Sequence, residues 1–176
     1  MAAALCQLET LGMEPVAAHE AALTEYSLRK LSSVPGFQVY GDSDPDRTTA
    51  RLGVLPFNIE GLSHFLVAAI LGHEFGIGVR NGCFCAHPYI LHLLALTSEE
   101  RHLVRNNILA ENKQEMPGLV RVSFGLYNTP EEVDEFVEAL NCIVRGKYTG
   151  QYQQDAASGE FHPVGWQPDF KKFFSF

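Results

Sequence analysis

The segment that most constrains the fold is a strand that feeds a sharply started helix. Residues 119–124 read Leu-Val-Arg-Val-Ser-Phe, and a strand's period of two sets Leu119, Arg121 and Ser123 on one face and Val120, Val122 and Phe124 on the other. Thr129-Pro130-Glu131-Glu132 follows. Thr serves as N-cap, Pro fits the first helical position and Glu closes a capping box at the third. Val133, Phe136, Val137, Leu140, Ile143 and Val144 then recur at helical spacing. A strand joined this closely to a helix with one apolar stripe calls for a sheet layer packed on a helix layer.

The rest of the chain supplies the other parts of those layers. An amphipathic helix is predicted over 13–33, on Val16, Ala17, Ala21, Leu23, Leu28 and Leu31, and Pro35-Gly36 ends it. Strands are predicted over 37–40, 51–58 and 76–80; Pro56 argues for an edge strand or a bulge in the second. Helices are predicted over 63–75, with Ser63 as N-cap, and over 87–96 and 98–109. The resulting order gives an α+β fold: a small, mostly antiparallel sheet of about four strands with helices mainly on one face. From Gly146 the pattern fades. Residues 150–176 are polar and then aromatic (Phe161, Trp166, Phe170, Phe173, Phe174, Phe176), and read as a tail that docks on the body. The expected division is a domain over 1–149 and a tail over 150–176.

Composition removes several classes of function. A net charge of −8 and a pI near 5.3 argue against broad nucleic-acid binding, which needs clustered Lys and Arg. The longest apolar run, Phe65 to Leu71, falls far short of the roughly 20 residues that span a bilayer. Residues 1–12 lack the basic start and long apolar core of a signal peptide. Four cysteines in 176 residues are too few for a secreted disulfide scaffold. The expected setting is soluble, reducing and cytoplasmic, with no nucleic acid and no membrane.

Chemistry concentrates in Arg80-Asn81-Gly82-Cys83-Phe84-Cys85-Ala86-His87-Pro88. A thiol acts as a nucleophile only as thiolate, which a nearby cation or helix N-terminus favours. Cys85 has Arg80 five residues back and an expected helix start at His87-Pro88; Gly82 permits a tight turn. On the residues alone, a small buried apolar cysteine is the commoner role. The C-x-C spacing is wrong for structural zinc, and His73, His87 and His92 complete no such motif, so no metal site is expected. A Cys83–Cys85 disulfide would close a strained ring. Asp42, Asp44 and Asp46 alternate like the opening of a calcium loop, but Arg47 and Gly53 stand where that loop needs Gly and Glu. They read as an acidic turn. His64, His73, His92 and His102 fall on helical patterns and read as solvated or core-satisfied.

The cysteine run, taken with Arg121-Val122-Ser123 and Tyr127-Asn128-Thr129-Pro130-Glu131-Glu132, resembles the C-terminal small domain of class V pyridoxal-phosphate enzymes of fold type I. The cysteine desulfurase and selenocysteine lyase group is the nearest match. There a strand ends in Arg-x-Gly, Cys-Ala-x-Pro comes two residues later, and an Arg-x-Ser strand leads to Tyr-Asn-Thr-x-Glu-Glu. The resemblance spans residues 13–145. It implies that Cys85 is the persulfide-forming cysteine and that Arg121 holds the substrate carboxylate. Arg80 stands as a second substrate contact, or else pairs with an acid across the sheet. The chain departs from the group in Cys83 and Phe84, where histidines are frequent, in a longer stretch between Pro88 and Leu119, and in residues 150–176.

The resemblance further implies pyridoxal phosphate, an amino-acid substrate, a sulfur acceptor protein and a homodimer in the full-length parent. None of the five lysines (30, 113, 147, 171, 172) lies in the expected Ser-x-His-Lys context. No pyridine-nitrogen Asp or phosphate loop is evident either. The expectation is therefore a C-terminal piece whose large cofactor-binding domain lies elsewhere, and which alone neither binds the cofactor stably nor turns over. Two alternatives stand beside the desulfurase reading. One is a class V aminotransferase, epimerase or kynureninase-like enzyme in which Cys85 is incidental. The other is a stand-alone, non-catalytic binding module.

Overall fold

Alternation along two central strands decides which side of the sheet is buried. The computed structural model describes residues 2–167. In chain order these form α1 (Ala2–Leu11), α2 (Met13–Leu31), β1 (Phe37–Val39), a 3-10 turn (Pro45–Ala50), β2 (Val54–Ile59), α3 (His64–Glu74), β3 (Arg80–Gly82), α4 (His87–Leu93), α5 (Ser98–Leu109), β4 (Leu119–Ser123), α6 (Pro130–Val144), β5 (Tyr152–Gln154) and β6 (Phe161–Pro163). Strands β1 to β4 make one four-stranded sheet in the order β1-β2-β4-β3, antiparallel throughout. The α+β architecture read from the sequence is the one observed.

Leu55, Phe57 and Ile59 of β2 and Val120 and Val122 of β4 are buried on the same face. Leu28 and Leu31 of α2, Val67, Ile70 and Leu71 of α3, and Phe136, Leu140 and Ile143 of α6 pack onto them as one core. Phe57 sits at its centre, stacked on Phe37 at 5.0 Å and edge-on to Phe136 at 5.9 Å. Truncating it to Ala would cost about 3–5 kcal/mol. The capping box at Thr129 forms as read, with the Thr129 hydroxyl bonded to the Glu132 amide and the Glu132 carboxylate to the Thr129 amide. Ser63 caps α3 through the Phe65 amide. An equivalent box at Thr97 and Glu100 starts α5.

Three local expectations are corrected. Pro56 lies in a central strand, not at an edge. Its missing donor is tolerated because its carbonyl accepts from the Tyr40 amide just past the last residue of β1, so the lost rung is the terminal one. The third strand begins at Arg80 and not at 76, because Gly76, at φ 67, turns the chain out of extended geometry. Residues 2–11 form a helix that was not anticipated; none of its residues is buried, so no apolar stripe marks it.

Residues 152–163 form a hairpin, with Tyr152 opposite Pro163 and Gln154 opposite Phe161. It is fastened to the body by the Lys113 amide on Ala156 O at 2.8 Å and by Gln154 Nε2 on Gln114 O at 2.8 Å. Trp166 stacks on His162 and meets His73 of α3 edge-on. Phe170, Phe173, Phe174, Phe176, Lys171 and Lys172 lie outside the described residues. No described helix is long and apolar enough to cross a membrane.

Candidate functional site

The same alternation sends the other set of side chains to the second face of the sheet. Pro56 and Asn58 of β2 and Leu119 and Arg121 of β4 share it, and the register sets Arg80 of β3 directly opposite Arg121. Side chains so paired have Cβ atoms about 4.5–5.5 Å apart, and like charges there repel. The residue across the sheet from Arg80 is therefore a second cation and not an acid. Among the described residues, the ion pairs join Arg29, Lys30 and Arg47 to acids, never Arg80 or Arg121. The Nε of Arg121 is buried without a hydrogen-bond partner. So is the side-chain oxygen of Asn58, whose amide nitrogen donates to Gly118 O at 3.1 Å. Two guanidiniums on one face with no anion are a site that an anion would stabilise.

The cysteine loop closes against this face. β3 ends at Gly82 with φ 101, a conformation glycine adopts freely. The Cys83 thiol then donates to Pro117 O at 3.1 Å, and the Ala86 amide bonds back to Cys83 O at 2.7 Å. That closes a four-residue turn whose central residues, Phe84 and Cys85, both have positive φ, 52 and 61. Both signs match a type I′ turn. Glycine or asparagine normally fills such positions, and each such residue costs about 1–3 kcal/mol. The contacts that hold it are visible. Cys83 is buried with Ile90 and Leu119, and Phe84 packs on that cluster. The Arg121 guanidinium lies over the Phe84 ring, 5.0 Å from its centroid. Burial pushes the Cys83 thiol up, whereas Cys85 is exposed at the tip of the turn.

His64 supports the loop from the other side. It is buried at the start of α3. Its Nε2 donates to Met116 O at 2.9 Å, since a carbonyl only accepts. Burial lowers its pKa, against the opposing pull of that hydrogen bond. It thus braces the approach to β4 from within the fold. His73 packs on Trp166, and His92 and His102 are exposed. Asp44 caps the 3-10 turn through the Asp46 amide, and Asp42 pairs with Arg47 at 3.2 Å, which makes the aspartate run a self-bonded turn. Among the described residues no cluster of three or more His, Cys, Asp or Glu is placed to hold a metal.

Of the three residues singled out from sequence, Arg80 and Arg121 stand side by side, and Cys85 is exposed one residue beyond Phe84, whose ring lies against Arg121. Phe84 and Asn58 were not anticipated. Phe84 is flagged only as a departure from a common histidine, and Asn58 only by period-two spacing from Pro56. A cleft of about 480 Å³ opens elsewhere, between residues 75–78 and the β4–α6 turn. It is lined by Glu132 and Glu135 and by no Lys or Arg, so it disfavours a carboxylate.

A family model described as aminotransferase class-V matches residues 1–136, a range that includes Arg80, Cys85 and Arg121. A cysteine desulfurase of Enterobacter sp. (strain 638) is 34% identical over 143 residues, covering 81% of this chain and 28% of that protein. A probable cysteine desulfurase of Halobacterium salinarum is 32% identical over 141 residues, covering 80% of this chain and 28% of that protein. The chain thus spans well under a third of the length of these curated relatives. An apo cysteine desulfurase structure from Thermococcus onnurineus superposes with a TM-score of 0.53 and 29% identity, over 72% of this chain and 25% of that one. An Escherichia coli cysteine desulfurase in its S-sulfonic acid form superposes with a TM-score of 0.61 over 81% of this chain and 29% of that one; at 23% identity it speaks for the fold alone.

Proposed function

Within the aminotransferase class-V family, to which the chain belongs, we propose that residues 1–176 carry the substrate-holding and sulfur-accepting part of a cysteine desulfurase. The observation that carries this reading is the unpaired arginine couple, Arg80 opposite Arg121, with the exposed Cys85 in the turn packed beneath Arg121. Arg121 grips the α-carboxylate of the amino acid with its planar fork, and Arg80 adds a second positive charge. That leaves the substrate side chain facing the turn. The Cys85 thiolate attacks the substrate sulfur and an S–S bond forms. The C–S bond breaks, and its electron pair stays with the three-carbon skeleton. The balance is cysteine plus the Cys85 thiol giving alanine plus a Cys85 persulfide. Because Cys85 is exposed, a thiol of an acceptor protein has a path to the outer sulfur.

The family depends on pyridoxal phosphate, which serves as the electron sink for bond breaking at an amino acid's α-carbon. The described lysines do not meet its needs here. Lys30 is tied to Asp134 at 2.8 Å, Lys113 lies in the loop that holds the hairpin, and Lys147 follows α6. None lies on β2, β3, β4 or the Cys83–Ala86 turn. We assign the cofactor to a large domain outside residues 1–176, in a homodimeric parent, a reading supported by relatives of which this chain matches only 28%. The four free cysteines suit the reducing cytoplasm.

The test is alanine and sulfide production from L-cysteine by the longest product of the native gene, supplied with pyridoxal phosphate and with dithiothreitol, which reduces the Cys85 persulfide to thiol and sulfide and is itself oxidised to the disulfide. Cys85→Ala is expected to abolish both products, and Arg121→Lys to raise KM at least about tenfold, the scale of a lost bidentate grip. Wild-type rates from Cys85→Ala would make the thiol incidental and overturn the desulfurase reading.

A further inference from the structure

We propose that Phe84 is a positioning residue that sets the plane of the Arg121 guanidinium and ties it to the turn presenting Cys85. This rests on the reading of Arg121 as the carboxylate holder. The guanidinium lies 5.0 Å from the Phe84 ring centroid, within reach of cation–π attraction, and a flat ion over a flat ring has its orientation restricted. Among the described residues no hydrogen bond or ion pair holds that side chain. Its Nε is buried and without a partner, no described acid pairs with it, and the residue opposite is Arg80, which repels it.

Phe84 has φ 52, which a bulky residue adopts only where surrounding contacts outweigh the strain. Those contacts are the Cys83, Ile90 and Leu119 cluster below it and Arg121 above it. The next residue, Cys85, has φ 61, so the contact that orients the fork also supports the conformation that exposes the thiol. A carboxylate meeting a fork held in this way loses less side-chain freedom on binding. A Phe84 that only filled space would be replaceable by any apolar side chain of similar volume.

The test uses the full ¹⁵N-labelled chain and L-alanine as carboxylate probe, since it has no sulfur to transfer. In the wild type the Arg121 Nε–H resonance is expected upfield, shielded by the ring face, and is expected to move with the Cys85 amide as L-alanine is added. Phe84→Leu keeps apolar bulk and removes the π face. It is expected to lose the upfield displacement and to weaken L-alanine binding about three- to tenfold. Phe84→Tyr is expected to retain both, and Phe84→Met repeats the comparison if leucine disturbs the turn. Wild-type affinity in Phe84→Leu, or a Phe84→Tyr as weak as Phe84→Leu, overturns the positioning role and leaves the carboxylate site standing. Failure of the wild type to bind L-alanine overturns the carboxylate site and the positioning role together.

Discussion

Glu74 and Tyr152 fasten the C-terminal hairpin to α3: the Tyr152 hydroxyl donates to Glu74 Oε1 at 3.0 Å, 78 residues away in sequence. The same carboxylate accepts from the Gly150 amide at 2.9 Å and from the amide and hydroxyl of Thr149 at 2.8 and 3.1 Å. Burial pushes the Glu74 carboxyl up, but these four donors together hold it below its ordinary 4.5. Burial first, and then Glu74, raises the Tyr152 pKa. Glu74→Ala is expected to lower stability by about 2–3 kcal/mol, the scale of losing hydrogen bonds to a charged acceptor. Thermal melting should show a shift of roughly 4–12 °C for a domain of this size. The folded pKa lies below the unfolded one, so this contribution is present above pH 4.5 and is lost as the pH falls through the folded value. A melt of the variant that tracks the wild type down to pH 3 would show that the carboxylate does not act as the clamp.

Gly118 is a packing constraint at the root of the candidate site. A Cβ there would meet His64 Nε2 at 2.6 Å and the Gly82 Cα at 2.7 Å. Neither neighbour yields easily, since the histidine is bonded to Met116 O and Gly82 ends the strand that leads to the cysteine turn. Gly118→Ala is expected to destabilise by about 1–3 kcal/mol through overpacking. It should also broaden or shift the amide resonances of residues 82–86, the turn that follows the pairing of Gly82 with Leu119. An unchanged spectrum with an unchanged urea midpoint would contradict the close approach.

The layers were legible because they rest on local chemistry. The Thr129 capping box, the Ser63 cap and the alternation of Val120 and Val122 each reflect one element's own preferences, and each formed as read. Pro56 misled because its cost depends on where β1 stops, which is a matter of pairing and not of local propensity. The hairpin over 152–163 escaped because its holding partners, Glu74 and the 113–114 loop, lie far away in sequence. At the site, the resemblance to class V enzymes pointed to Cys85, Arg80 and Arg121, and only the strand register revealed that the two arginines face each other. Phe84 was hidden for a related reason: a phenylalanine at positive φ contradicts its own preference and is explained by contacts across the sheet.

His64 should make stability depend on pH near neutrality. Burial holds its folded pKa below the unfolded 6.5, because the charged ring would lie in a poorly solvated site. The unfolded chain therefore takes up the proton first as the pH falls. The contribution of His64 is present above 6.5 and is lost as the pH drops from there toward the folded value. Urea midpoints at pH 7.5 and 5.5 should show the wild type less stable at the lower pH. His64→Gln, which keeps an N–H for Met116 O, should lose most of that difference. Equal pH dependence in both proteins would assign the effect to other groups.

The two cysteines of the turn should differ in reactivity although one residue separates them. Cys83 is buried, donates its thiol to Pro117 O at 3.1 Å, and has its pKa raised by burial, so little thiolate forms near neutral pH. Cys85 is exposed at the tip of the turn. Cys6 is exposed as well, so the comparison is best made in a Cys6→Ser background. Iodoacetamide at pH 7.5, read by intact mass and peptide mapping, should modify Cys85 first, with Cys83 slower by about tenfold or more, because burial both raises the Cys83 pKa and blocks access to its sulfur. In 8 M urea the two should label at similar rates. Equal labelling of both in the folded chain would mean that the turn opens readily, and that the hydrogen bond to Pro117 and the contact between Phe84 and Arg121 do not hold Cys85 in its presented form.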